Sequence, residues 1–93
     1  MVVAVYTIVI IISESHSLKD KRRVLMQLRD KITRKFNVSM AEIDHHNLWQ
    51  KTTLGIACLA NEQRHVNQVL DQVMNAIYRL PFVEVVDCRK EFT

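Results

Sequence analysis

Glycine and proline occur once each in 93 residues. That excludes a glycine-rich loop cradling phosphates, which needs several backbone positions free of a Cβ. It also excludes a flexible linker or a low-complexity segment, so the chain reads as one domain over residues 1–93. Cysteine is scarce too. Cys58 and Cys88 form no C-x-x-C pair, which leaves zinc-ribbon and thiol-redox chemistry without support. Both are expected to be free, buried thiols of a reducing cytoplasm. No apolar run approaches the roughly 20 residues that a membrane helix needs. The longest uncharged stretch near the start, residues 2–12, lacks the basic opening and small-residue cleavage site of a signal peptide. The expectation is a cytoplasmic protein without a membrane partner.

Positive charge is unevenly placed. Between Ser15 and Met40 stand eight of the thirteen basic residues and only two of the ten acidic ones. That segment carries +6 and the rest −3, within a net charge of +3 and a pI near 9.1. Attraction to nucleic acid or another anionic surface follows from such a patch. The segment opens a helix expected over residues 18–35, with Leu18, Leu25, Leu28 and Ile32 as its core stripe. Lys19, Arg23, Lys31 and Arg34 lie broadly opposite. Ser17 is a good N-cap, and Asp20 three residues on makes an approximate capping box. Even so, Lys19, Lys21, Arg22 and Arg23 crowd the positive end of the helix dipole, where cations are unfavourable. An anion docked there would reverse that cost. Three readings stay open: a solvated charged face, a phosphate-backbone site, and a site for an acidic protein patch.

The remaining pattern sets the fold class. Residues 2–12 alternate two apolar faces, one of Val2, Ala4, Tyr6, Ile8, Ile10 and Ile12, the other of Val3, Val5, Thr7, Val9 and Ile11. A strand apolar on both sides belongs at the centre of a sheet. Further strands are expected over residues 36–44, 52–60 and 82–88, the last followed by a short tail or strand extension. Gly55 marks a bulge or a close backbone approach. Asn61 is a candidate N-cap for a second helix. Val66, Val69, Leu70, Val73, Ile77 and Leu80 form its stripe, and Pro81 stops it. The order βαββαβ is the ferredoxin-like α+β arrangement. Right-handed crossovers give a four-stranded antiparallel sheet ordered 4-1-3-2, with two helices on one face. Strand one then separates Cys58 from Cys88, so no internal disulfide is expected. The uncovered apolar face calls for a cover: a second copy of the chain, or the polar hairpin or tail folded over it.

Other constellations are weaker. His45 and His46 stand in the polar turn after the second strand; adjacent residues with strand-like alternation point to opposite faces and no third ligand is fixed by spacing, so they read as a surface turn or a polar recognition loop and no metal is expected. No nucleophile–base pairing can be assigned to Ser15, His16 and Ser17, and no cofactor motif is present. A non-enzyme is the expectation, with a small-anion or nucleotide enzyme as a minor alternative. Trp49, beside Leu48 in a polar turn, is read as a core or dimer residue, with base stacking as the alternative. The RNA-recognition-motif fold shares this topology, but it stacks bases on aromatic residues of strands one and three. Here the third strand has no aromatic and the first only Tyr6. RNA would therefore meet the first helix rather than the sheet.

Two segments carry a family likeness. His16-Ser17-Leu18-Lys19-Asp20-Lys21-Arg22-Arg23-Val24-Leu25, and Phe36-Asn37-Val38-Ser39-Met40-Ala41-Glu42-Ile43-Asp44-His45 with Leu48-Trp49-Gln50, resemble the YlxP-like family of small bacterial proteins of unknown function. The resemblance implies a ferredoxin-like domain in a bacterial cytoplasm. It also implies a ribosome-linked role, because genes of such proteins are often found among those for translation initiation and ribosome maturation factors. It supplies no catalytic residues. The resulting expectation is an RNA- or ribosome-associated factor whose phosphate contacts are His16, Ser17, Lys19, Lys21, Arg22, Arg23, Lys31, Arg34 and Lys35. The alternative is a homodimeric interaction module using the open sheet face.

Overall fold

A computed structural model describes residues 1–92. Along the chain run β1 (Val2–Ile11), α1 (Leu18–Lys35), β2 (Ser39–Asp44), β3 (Lys51–Ala60), α2 (Gln63–Tyr78) and β4 (Glu84–Phe92). The four strands form one sheet ordered β2-β3-β1-β4, with every neighbouring pair antiparallel. This is the expected βαββαβ architecture.

The alternation in β1 does what its composition requires. Ala4, Tyr6, Ile8 and Ile10 are buried and join Leu28 and Ile32 of α1 and Val66, Leu70, Val73 and Ile77 of α2 in one core. Both helices therefore pack on the same side of the sheet. The opposite row, Val3, Val5, Thr7, Val9 and Ile11, is only half-buried. Antiparallel pairing places Leu59, Ala57, Gly55, Thr53 and Lys51 of β3 beside that row. Asp87, Arg89 and Glu91 of β4 border it on the other side.

Several local boundaries differ from the sequence expectation. The second strand starts at Ser39, because Phe36 serves as the C-cap of α1, its N–H donating to the Ile32 carbonyl at 2.9 Å. Phe36 is then spent against the core rather than in the sheet. The second helix starts at Gln63 after Glu62, not after Asn61, and Glu62 makes no side-chain cap bond. The final strand starts at Glu84 and extends to Phe92, so the expected extension exists as far as that residue; Thr93 lies outside the described residues. Gly55 marks a close approach, and the bulge is on its neighbour. The β2–β3 register shifts between Glu42 and Asp44, and Ile43 comes over Gly55, where a Cβ would meet Ile43 Cγ2 at 3.4 Å.

Cys58 is opposite Ala4 and Cys88 opposite Ile8, with β1 between them. Both are free, as expected, but only Cys58 is buried; Cys88 is exposed on the edge strand. Burial raises both thiol pKa values, and for Cys88 the Asp87 charge adds to the rise.

Candidate nucleic-acid interface

The basic residues of α1 separate into three rows when placed on the helix. Arg22 and Arg29, two turns apart, line the side facing the β2 edge. Lys19, Arg23 and Arg34 share the outward side at helical spacing, with Asp30 among them. Lys31 and Lys35 occupy the remaining flank. All seven are exposed. Arg23 is held by Asp20, Nη2 to Oδ1 at 2.7 Å, and Lys35 lies 5.5 Å from the centre of the Phe36 ring. Among the described residues, no carboxylate pairs with Lys19, Arg22, Arg29, Lys31, Arg34 or Lys35.

The helix start is organised by the chain itself. Ser17 Oγ accepts the Asp20 N–H at 3.0 Å, and Asp20 Oδ2 accepts the His16 N–H at 3.2 Å. This is the expected capping box, displaced by one residue on its return arm. Asp20 supplies negative charge where the helix dipole and the neighbouring cations favour it. The His16 backbone and the Ser17 hydroxyl are thereby occupied. They act as helix-start groups beside the basic rows.

Lys21 is a correction. It was expected among the phosphate contacts, yet it is 1% exposed and is among the largest fully buried side chains. Its Nζ lies 2.8 Å from Glu42 Oε2 and donates to the His45 carbonyl at 2.6 Å. Thr52 Oγ1 also donates to Glu42 Oε2. Burial would raise the Glu42 pKa, but bonds from Lys21 and Thr52, with the Lys21 charge, hold the carboxyl below its ordinary value. The carbonyl that receives Lys21 belongs to a residue in the left-handed region, His45 at φ 62°. His45 is fixed there by its N–H to Asp44 Oδ1 and by Nδ1 against Thr53 Oγ1, each at 2.7 Å. Sequence reasoning missed this network. The signal existed: Lys21 precedes Leu25, Leu28 and Ile32 at four, seven and eleven residues, the spacing of the core stripe.

No group of three or more His, Cys, Asp or Glu that could hold an ion occurs among the described residues, the turn after β2 included. Trp49 is 55% exposed, which removes the core reading. It lines a shallow depression with Leu48 and Ile11 at one end of the open sheet face. No helix among the described residues is long and apolar enough to cross a membrane.

Residues 3–90 match the family described as "Protein of unknown function (DUF503)". The chain belongs to the DUF503 family. Within curated sequences it is 35% identical over 82 residues to "Uncharacterized protein YlxP" of Bacillus subtilis (strain 168), covering 88% of this chain and 89% of that protein. The likeness extends from the first strand through the last, so the DUF503 match includes both the basic helix and the Lys21–Glu42 network. Neither description assigns a chemistry, and function must be argued from the surface.

Proposed function

We propose that this DUF503 protein is a non-enzymatic, cytoplasmic RNA- or ribosome-associated factor that binds phosphate backbones through the outward surface of α1. The supporting observation is the set of exposed cations on a single helix, of which only Arg23 is committed to a carboxylate among the described residues. Lys19, Arg23, Lys31, Arg34 and Lys35 carry the contacts, with Arg22 at the margin and His16 and Ser17 at the helix start. Lys21 drops out of that set because it is buried. Binding of this kind is led by charge and shape, and it weakens with salt by about 0.7–0.9 in log–log slope per neutralised phosphate. The test is fluorescence anisotropy with labelled single-stranded and duplex RNA over a salt series. Lys19→Glu with Arg34→Glu is expected to weaken binding at least tenfold and flatten the slope. An unchanged affinity in a folded variant rejects the reading.

The open sheet face supports a second role, self-association. Val3, Val5, Val9 and Ile11 form an apolar row, and Ile43, Leu48, Trp49 and Leu59 add exposed apolar surface. Exposed apolar surface of that kind favours contact with a matching face. Sedimentation equilibrium at tens of micromolar is expected to give a dimer that Val5→Lys converts to monomer. A monomeric wild type ends this reading and leaves the RNA site unaffected.

A further inference from the structure

The sheet has an unprotected side next to the basic helix. β2 is an edge strand of only six residues. Among the described residues, no loop or helix backbone bonds to its outer side between Ser39 and Glu42. Such an edge can accept another strand through main-chain hydrogen bonds. Between it and α1 runs a groove of about 270 Å³ with a floor of Leu25, Met26, Met40 and Leu54 and with Arg22 and Arg29 on its rim. Met26 is 63% exposed. Neither guanidinium has an ion-pair partner among the described residues. The one carboxylate in the groove, Glu42, is already committed to Lys21.

We infer that this groove receives an extended acidic peptide, which adds as a strand to β2. Register decides what the peptide must look like. Met40 and Glu42 pair with the buried Ile56 and Leu54, so they face the helix side of the sheet. Residues of an added strand lying beside them point the same way, into the groove. Alternate peptide residues are thus read by α1 and the intervening ones are not. Arg22 and Arg29 are seven residues apart, about 10 Å along the helix axis. Carboxylates four residues apart in an extended segment lie about 13 Å apart, within reach of two long, flexible arginines. The residue midway between them drops onto Leu25, Met26 and Met40. The recognised pattern is acidic-x-apolar-x-acidic, with leucine or methionine suited to the centre.

Charge chooses between occupants. A nucleic-acid backbone would satisfy the arginines, but it would leave the apolar floor and the strand edge unused. A peptide of this pattern uses all three. The groove shares Arg22 with the margin of the surface proposed for RNA, but it takes none of Lys19, Arg23, Lys31, Arg34 or Lys35, so each reading can fail alone.

The test uses the full chain and a fluorescein-labelled nine-residue peptide with glutamate at its third and seventh positions, leucine at its fifth and threonine elsewhere. Anisotropy is expected to show saturable binding. Arg22→Glu with Arg29→Glu is expected to weaken it at least tenfold, while Lys19→Glu with Arg34→Glu leaves it within about twofold. A peptide N-methylated along its β2-facing edge is expected to lose binding, because strand addition needs those N–H groups. Amide shifts confined to residues 39–44 and the facing side of α1 would place the peptide. No binding by millimolar peptide overturns the proposal, and so does equal binding by the charge-reversed groove. RNA binding lost in the Arg22/Arg29 variant without peptide binding to wild type would assign the groove to nucleic acid and likewise overturn it.

Discussion

Lys21 stands where the stripe of α1 would ordinarily carry an aliphatic side chain. Desolvating an ammonium costs several kcal/mol, which the Glu42 carboxylate and the His45 carbonyl must offset. Removing one member leaves the other uncompensated. Lys21→Ala is expected to cost about 3 kcal/mol or more in urea unfolding, whereas Lys21→Met combined with Glu42→Leu is expected to be near neutral. The pair also makes stability depend on pH. Glu42 is held below its ordinary value of 4.5 in the folded chain. Its contribution is complete above the unfolded value and disappears as pH falls through the folded one. The stability difference between wild type and Glu42→Gln should therefore shrink on acidification below about pH 4.5, read from urea midpoints across pH. At this scale the sequence was misleading for a definite reason. Charge type argued for solvent, spacing argued for the core, and the partner that lets spacing win lies 21 residues away on β2.

Elements were legible where one signal acted alone. The start of α1 could be read because Ser17 and Asp20 bond each other locally. Ser17→Ala is expected to cost about 1 kcal/mol, measured by thermal or urea unfolding, because the Asp20 N–H loses its acceptor. The start of α2 was misplaced by one residue because Glu62 caps it without a side-chain bond, so no local chemistry singles it out. The first residues assigned to β2 were misread for a similar reason. Phe36 favours strands by type, yet its ring belongs to the core and its N–H to the helix. Of the expected phosphate residues, the helix gathers Lys19, Arg23 and Arg34 on one side and Lys31 and Lys35 on another, and it turns Arg22 towards β2. Adjacent Arg22 and Arg23 thus serve different surfaces, a separation that follows from 100° per residue and was available from the sequence.

For the whole molecule, the doubly apolar first strand was the most informative segment. A strand with no polar face has few places to go in a four-stranded sheet, and the order β2-β3-β1-β4 puts it inside. The same property left one row facing outward, half-buried between β3 and β4. The turn that follows β2 contributes only at one end, through Trp49 and Leu48 against Ile11.

That central position also has a consequence in time. β1 precedes both of its sheet neighbours along the chain, and they follow only after α1 and β2, with β4 ending at Phe92. A nascent chain made only as far as β2 has its helix and its apolar strand but neither of that strand's sheet partners. At about 5–20 residues per second, the strand waits seconds for β3 and β4. An unpaired, uncharged run of valine and isoleucine is also the kind of segment that associates with its like. β1 therefore completes its pairing only once the C-terminal half has been made, and a truncation that removes β4 leaves this strand with a bare edge.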